Sequence, residues 1–331
     1  MAQYFTERLQ KVFHMIFKSY NQEMAQEGLR QLELIVNNQH SPEQPNHRAL
    51  RDDMTTSLEH EIDTKEDALK IANDPESREI ADAYALLARI YAGPRFTWEE
   101  SNFPENNMRT YQCLHDSIRR CSPIGTLQAL RINGTITPTV EKDMLISFDD
   151  AFRIVYDYAE QGDAFCQYII GNVFFWRDDD RISLAKDMIT PPRLSLAKRI
   201  QQSFQKGSIQ ERLIALQGTI SNETLQENAT KLAKEWFNRA LDNGLAMFQG
   251  NLRNIYIDEG DFNNARRVAL TAAELGNPTM MLYTGLDCHE HGKFENAFTW
   301  FTKGAALGQA ESTAELADYY YHFYDAKELR R

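Results

Sequence analysis

The sequence predicts an all-α protein: a solenoid of antiparallel helix hairpins stacked side by side. Two observations carry that prediction. Glycines recur at a fixed step, with Gly244, Gly276 and Gly308 standing 32 residues apart (276 − 244 and 308 − 276). Other columns keep the same step: Tyr256, Cys288 and Tyr320; Gly260 and Gly292; Phe262 and Phe294; Ala233, Ala265 and Ala297; Trp236, Val268 and Trp300. Self-similarity at one period is the mark of a repeat array.

Each copy has a physical logic. Ala233, Ala240, Ala265, Ala272 and Ala297 are small enough to let two helices approach closely. Trp236, Phe237, Trp300 and Phe301 are large enough to fill the space between neighbouring hairpins. Gly260 and Gly292 are expected to end the first helix of a copy in the left-handed conformation, and Gly244, Gly276 and Gly308 the second. One hairpin cannot bury its apolar face alone, so stacking supplies the core.

These residues resemble a known family. Gly276-Asn277-Pro278, then Thr284-Gly285 and Cys288, then the run from Asn296 through Ala306, are similar to the Sel-one-like repeat, a relative of the tetratricopeptide repeat. The run from Gly162 through Gly171 (GDAFCQYIIG) matches the first helix of that repeat most closely, and Ala83, Leu87 and Ala88 mark another copy. Weaker copies lie at 122–130, 151–162 and 197–220. The resemblance covers roughly residues 65–325. It implies a right-handed superhelix of hairpins, used mainly as a protein-binding scaffold or adaptor. The chain departs from the pattern by lacking the usual Gly-Val…Asp loop in its final repeats and by carrying insertions near 94–107, 176–192 and 221–228.

Residues 1–60 do not fit the repeat. Segments 5–20 and 23–36 place apolar residues at helical spacing (Leu9, Val12, Phe13, Ile16, Phe17; Leu29, Leu32, Leu34, Ile35) and predict two helices, with a proline-containing loop at 39–47. This region is expected to be an N-terminal helical cap ahead of a solenoid spanning 61–325, with 326–331 as a tail. At the far end, the copy beginning at Gly308 supplies one helix and little more. Tyr319, Tyr321, His322 and Tyr324 then belong either to a capping half-repeat, the commoner fate of a terminal copy, or to a contact surface for a second copy of the chain or another protein.

Composition narrows the function classes. The chain has 331 residues, a formal charge of −12 and 42% hydrophobic residues, a balance that repels nucleic-acid phosphates in the absence of a basic stripe. No uncharged segment approaches the ~18 residues of a membrane span, and the first residues lack the features of a secretory signal. A cytoplasmic protein with its four cysteines reduced is expected.

Helical phase gives a candidate binding face. At about 100° per residue, Ile170, Gly171 and Phe174 share one side of their helix, and Phe165, Tyr168, Asn172 and Trp176 the other. In the next copies that side carries Met247, Asn254 and Asp258, then Leu282 and Leu286 with His289 close by. In related repeats it lines the concave groove. Phe165, Tyr168 and Trp176 either face such a groove or pack against neighbouring helices and the insertion after Trp176, the more ordinary fate of aromatic side chains.

Chemistry is harder to find. In Cys288-His289-Glu290-His291 only Cys288 and His291 share a helical face, and no second ligand pair stands at zinc spacing. Asp178-Asp179-Asp180 lacks the spacing of a calcium loop and reads as solvated loop charge. Cys113 and Cys121 lie about 12 Å apart if one helix carries both, too far for a bridge. No phosphate-binding loop, dinucleotide fingerprint or nucleophile elbow is present. The sequence therefore predicts a non-enzymatic scaffold or adaptor with no cofactor and a protein or peptide partner. Two alternatives stand beside it: an inhibitory, immunity-type partner of a basic target, and an enzyme or small-molecule receptor with a site between hairpins around Trp176.

Overall fold

The computed structural model describes residues 3–37, 64–93, 103, 105–132, 144–191, 198, 220–247 and 249–321. Among these residues there are fifteen α-helices and no strand. In chain order they are α1 (Glu7–Phe17), α2 (Gln22–Asn37), α3 (Lys65–Asn73), α4 (Glu79–Tyr91), α5 (Asn107–Arg119), α6 (Pro123–Ile132), α7 (Phe148–Glu160), α8 (Ala164–Phe175), α9 (Ser183–Ile189), α10 (Asn222–Asp242), α11 (Gly250–Asp258), α12 (Phe262–Glu274), α13 (Pro278–Glu290), α14 (Phe294–Ala306) and α15 (Ala310–Tyr319). Helices pair as α4–α5, α6–α7, α8–α10, α11–α12 and α13–α14, and α15 packs on α14.

The turns show why the repeat holds its period. Gly162, Gly260, Gly276, Gly292 and Gly308 take φ of 99°, 73°, 104°, 69° and 87°, where a side chain would be strained. The residue after each then donates its amide to a carbonyl five positions back, as Asp163 does to Tyr158 and Asn277 to Ala272, so one helix closes with a Schellman turn. Asp163, Asp261, Asn277 and Gln309 at once cap the next helix, their side chains accepting from the amides of Cys166, Asn264, Met280 and Ser312. One glycine and one polar residue thus end one helix and start another.

Two close approaches reveal an equivalence. A methyl group on Gly171 of α8 would stand 2.6 Å from the Phe237 ring of α10, and one on Gly285 of α13 would stand 2.5 Å from Phe301 of α14. Phe237 and Phe301 occupy the same column of the repeat, so α8 and α10 are the two arms of one hairpin although residues 176–221 separate them. In that interval a 3₁₀ turn at Asp178–Asp180 and α9 are described. Asn228 Nδ2 pins α9 to α10 by donating to the Ile189 carbonyl at 2.7 Å.

The segment 221–228, expected to be an insertion, is helical and lengthens α10 relative to α12 and α14, which have 13 residues each. Ser221 caps α10 by accepting from the Thr224 amide, and 222–228 form the first two turns of a 21-residue helix. Of 94–107, the structure describes only 103 and 105–107, and 39–47 and 326–331 lie outside the described residues.

The N-terminal pair forms as two helices and reaches well beyond the first hairpin. The Tyr4 amide donates to Asp163 Oδ2 at 3.0 Å, its carbonyl accepts from Arg78 Nη2 at 2.6 Å, and its hydroxyl lies 3.3 Å from the Ile124 amide nitrogen. Phe5 and Phe13 pack on Phe165 with ring centroids 5.8 and 4.8 Å away. The ring of Tyr20 lies against Gly276. From Tyr4 to Tyr20 the segment therefore meets the starts of α4, α6, α8 and α13, the first helices of four hairpins. An apolar stripe of Leu9, Val12, Phe13, Ile16 and Phe17, all nearly inaccessible, holds it there.

Candidate functional site

The face shared by these first helices has two fates along its length. Near the helix N-termini the N-terminal segment covers it. Toward the C-termini of α4, α6 and α8, and beside the start of α11, a cavity of about 390 Å³ remains, lined from α4 by Arg89, from α6 by Leu127, Gln128 and Arg131, from α8 by Tyr168, Ile169, Asn172 and Val173, from the following turn by Trp176 and Asp178, and from α11 by Asn251. Tyr168, Asn172 and Trp176, expected from helical phase to share a face, do converge here.

The other expected site residues are dispersed. Phe165, Met247 and Leu282 are 3%, 1% and 8% exposed and do not present an open surface. Phe165 is sealed by Phe5 and Phe13, and Tyr168, 6% exposed, lines the cavity. Helix α8 is apolar on all sides, and such a helix is buried on all sides. Asn254 and Asp258 are exposed on α11, Leu286 is half-buried, and His289 is exposed with its Nδ1 2.7 Å from the Tyr319 hydroxyl. Trp176 is half exposed.

At the C-terminal end the terminal-interface reading is corrected at Tyr319. Its ring is buried against Phe301, centroids 5.5 Å apart, and against His289 at 5.4 Å. Tyr321 is exposed; His322 and Tyr324 lie outside the described residues.

The cavity's electrostatics come from residues that periodicity did not single out. Arg89 is buried, donates to the Tyr168 hydroxyl at 2.9 Å, and lies over the rings of Phe165 and Tyr168 at 5.6 and 5.2 Å. Arg131 stands 5.5 Å from the Trp176 ring centroid and pairs with Asp178 through two contacts, one of them Nε to Oδ2 at 2.7 Å. Asp178 was expected to be solvated loop charge, yet it is buried, because the 3₁₀ turn directs it onto that guanidinium.

Gln128 is 4% exposed, and both its Nε2 and Oε1 lack a hydrogen-bond partner among the described residues; the same holds for Asn172 Oδ1. A buried polar group left in that state costs about 1–3 kcal/mol. The signal for Arg89 and Gln128 was present in the sequence, since each interrupts an otherwise apolar stretch (Ala85-Leu86-Leu87-Ala88-Arg89-Ile90; Leu127-Gln128-Ala129-Leu130). Nothing in the sequence placed Asp178 beside Arg131.

Among the described residues, no group of three or more His, Cys, Asp or Glu side chains is placed to hold a metal ion. All four cysteines are free thiols, and burial pushes that of Cys113 up to about 12. No described helix is long and apolar enough to cross a membrane.

No protein-family model matches the chain, and neither does any curated protein. Among solved structures it is similar to a Sel1 repeat protein from Oxalobacter formigenes, at 14% identity over 77% of this chain and 84% of that one, with a TM-score of 0.35. It is also similar to c5321, a protective antigen of uropathogenic Escherichia coli strains displaying an SLR fold, at 14% identity over 77% of this chain and 60% of that one, with a TM-score of 0.28.

Proposed function

We propose that the chain is a protein-binding helical-repeat scaffold whose partner docks on the uncovered part of the first-helix face. The observation that supports this most is the cavity beside half-exposed Trp176, together with exposed Asn254 and Asp258 on the next first helix. An aromatic anchor next to polar groups on a rigid surface is the usual composition of an interface centre. The reading is of a binder rather than a catalyst: the one carboxylate lining the cavity among the described residues, Asp178, is committed to Arg131.

Capture from a native extract with the wild-type chain, set beside a Trp176→Ala/Asn254→Ala/Asp258→Ala variant of unchanged helical content, tests it. The triple variant is expected to lose the co-purifying protein. Equal capture by both chains overturns the assignment of this face.

A further inference from the structure

We infer that the partner of the first-helix face is a basic peptide segment, its apolar anchor seated beside Trp176 and its cations against the ends of α11, α13 and α15. The inference rests on the scaffold reading and adds the chemistry of the partner.

The repeat aligns the surface. Gly171 of α8 and Gly285 of α13 are equivalent, each lying under the phenylalanine of its second arm. Five positions past them stand Trp176 and Glu290, and 32 before Glu290 stands Asp258. One position past the two glycines stand Asn172 and Leu286, and 32 to either side of Leu286 stand Asn254 and Asp318. The stripe continues out of the cavity: Asn251 lines it, and Asn254 and Asp258, three and seven residues on, lie along the same side of α11.

Its two ends differ in chemistry. At the cavity, Arg131 is neutralised by Asp178, and Leu127, Ile169 and Val173 present apolar surface beside half-exposed Trp176. That end suits an aliphatic or aromatic anchor. At the other end the charge is one-sided. Asp258, Glu290 and Asp318 are exposed and enter no ion pair among the described residues, whereas Asp287 is taken by Arg266. Helices α11, α13 and α15 hold one Lys or Arg between them, Arg253, whose guanidinium is laid over the Tyr283 ring at 4.0 Å.

All three carboxylates sit in the last turn of their helices, and no Lys or Arg shares that turn. The backbone dipole is already negative there, so an acid works against its own helix. The same unfavourable placement in three successive copies gives a field that a cation from outside relieves. Charge complementarity therefore selects a basic segment, and the cavity supplies the seat for its anchor.

Panning an unbiased display library of twelve-residue peptides on the full chain tests the proposal. The enriched sequences are expected to carry net positive charge and one large apolar residue. A synthetic peptide from that pool, followed by fluorescence anisotropy, is expected to bind Asp258→Asn/Glu290→Gln/Asp318→Asn about tenfold or more weakly. Trp176→Ala is expected to weaken it about fivefold or more. The melting temperature of the triple amide variant is expected to stay unchanged or rise, because the lost charges opposed the helix dipoles. Asp242→Asn/Glu274→Gln/Glu295→Gln removes three exposed carboxylates from the second arms instead and is expected to change affinity by less than about twofold.

A pool without positive charge, or no enrichment, overturns the proposal. So does equal weakening in the two amide variants, which reduces binding to the chain's overall charge, and so does an affinity indifferent to Trp176→Ala. Loss of protein capture in the Trp176→Ala/Asn254→Ala/Asp258→Ala variant beside a neutral or acidic peptide pool leaves the scaffold standing and removes only this inference.

Discussion

The backbone amide of Tyr4 donates to Asp163 Oδ2 at 3.0 Å across 159 residues of sequence, while Asp163 Oδ1 accepts from the Cys166 amide and caps α8. One carboxylate thus starts a repeat helix and fastens the N-terminus to it. Asp163→Ala is expected to destabilise the fold by about 2–4 kcal/mol, combining a lost cap with a buried amide left unpaired. Asp261→Ala at the start of α12, where the carboxylate bonds only within its own first turn, is expected to cost about 1 kcal/mol. Urea unfolding of both variants checks the difference.

Arg78 and Asp82 form a fully buried ion pair, Nε to Oδ2 at 3.0 Å, and Arg78 lies 4.0 Å from the Tyr4 ring centroid. Its remaining nitrogens donate to the carbonyls of Ala72 and Tyr4. Arg78→Met strands the Asp82 carboxylate and is expected to cost about 3–5 kcal/mol. Arg78→Met/Asp82→Leu is expected to recover part of that loss, since no buried charge is then left uncompensated. Thermal melts of the single and double variants measure the recovery.

Gly171→Ala forces its new methyl into the Phe237 ring, and the overpacked α8–α10 contact is expected to lose about 1–3 kcal/mol. Gly250→Ala, at the first position of α11 with open space around it, is expected to gain up to about 1 kcal/mol. Opposite signs from the same substitution, read by denaturant midpoints, separate packing from backbone entropy.

Asp150 caps the link between α3 and α7. Burial pushes its carboxyl up, but the Ser147 hydroxyl and the Lys65 ammonium, 2.9 Å away, outweigh that and hold it below its ordinary value. A carboxyl lowered by folding stabilises the fold above its unfolded pKa of about 3.9, and that stabilisation is lost as the pH falls through the lower folded value. Lys65→Met is therefore expected to cost about 0.5–1 kcal/mol at pH 7, less than the whole effect because Arg153 still contacts Asp150 at 2.6 Å. The difference between wild type and variant should vanish as Asp150 is protonated. Unfolding midpoints collected across the acid range test this.

The repeat was legible because its constraints are local. A left-handed turn needs glycine, a helix start needs an acceptor, and both recur with the 32-residue step at Gly276-Asn277 and Gly308-Gln309. The helices at the N-terminus were legible for the same reason, since Leu9 through Phe17 repeat within a few residues of one another. The pairing of α8 with α10 was hidden because the intervening residues break the period, and only the contact of Gly171 with Phe237 restores it.

The proposed binding face was half legible. Helical phase put Tyr168, Asn172 and Trp176 together, and they do meet at one cavity. It could not show that Phe165 on the same side is sealed by Phe5 and Phe13, because phase assigns a residue to a side of its helix and says nothing of what arrives there from the other end of the chain.

The sequence by itself determined the all-helical class, the period and the turns, since each follows from conformational preferences within one or two helical turns. Tertiary structure alone decided that the N-terminal segment lies along the first-helix face, that Asp178 meets Arg131, and that Gln128 is buried without a match among the described residues. Those outcomes depend on surfaces made by residues tens to more than a hundred positions apart, and buried area is shared out only when all of them compete for it at once.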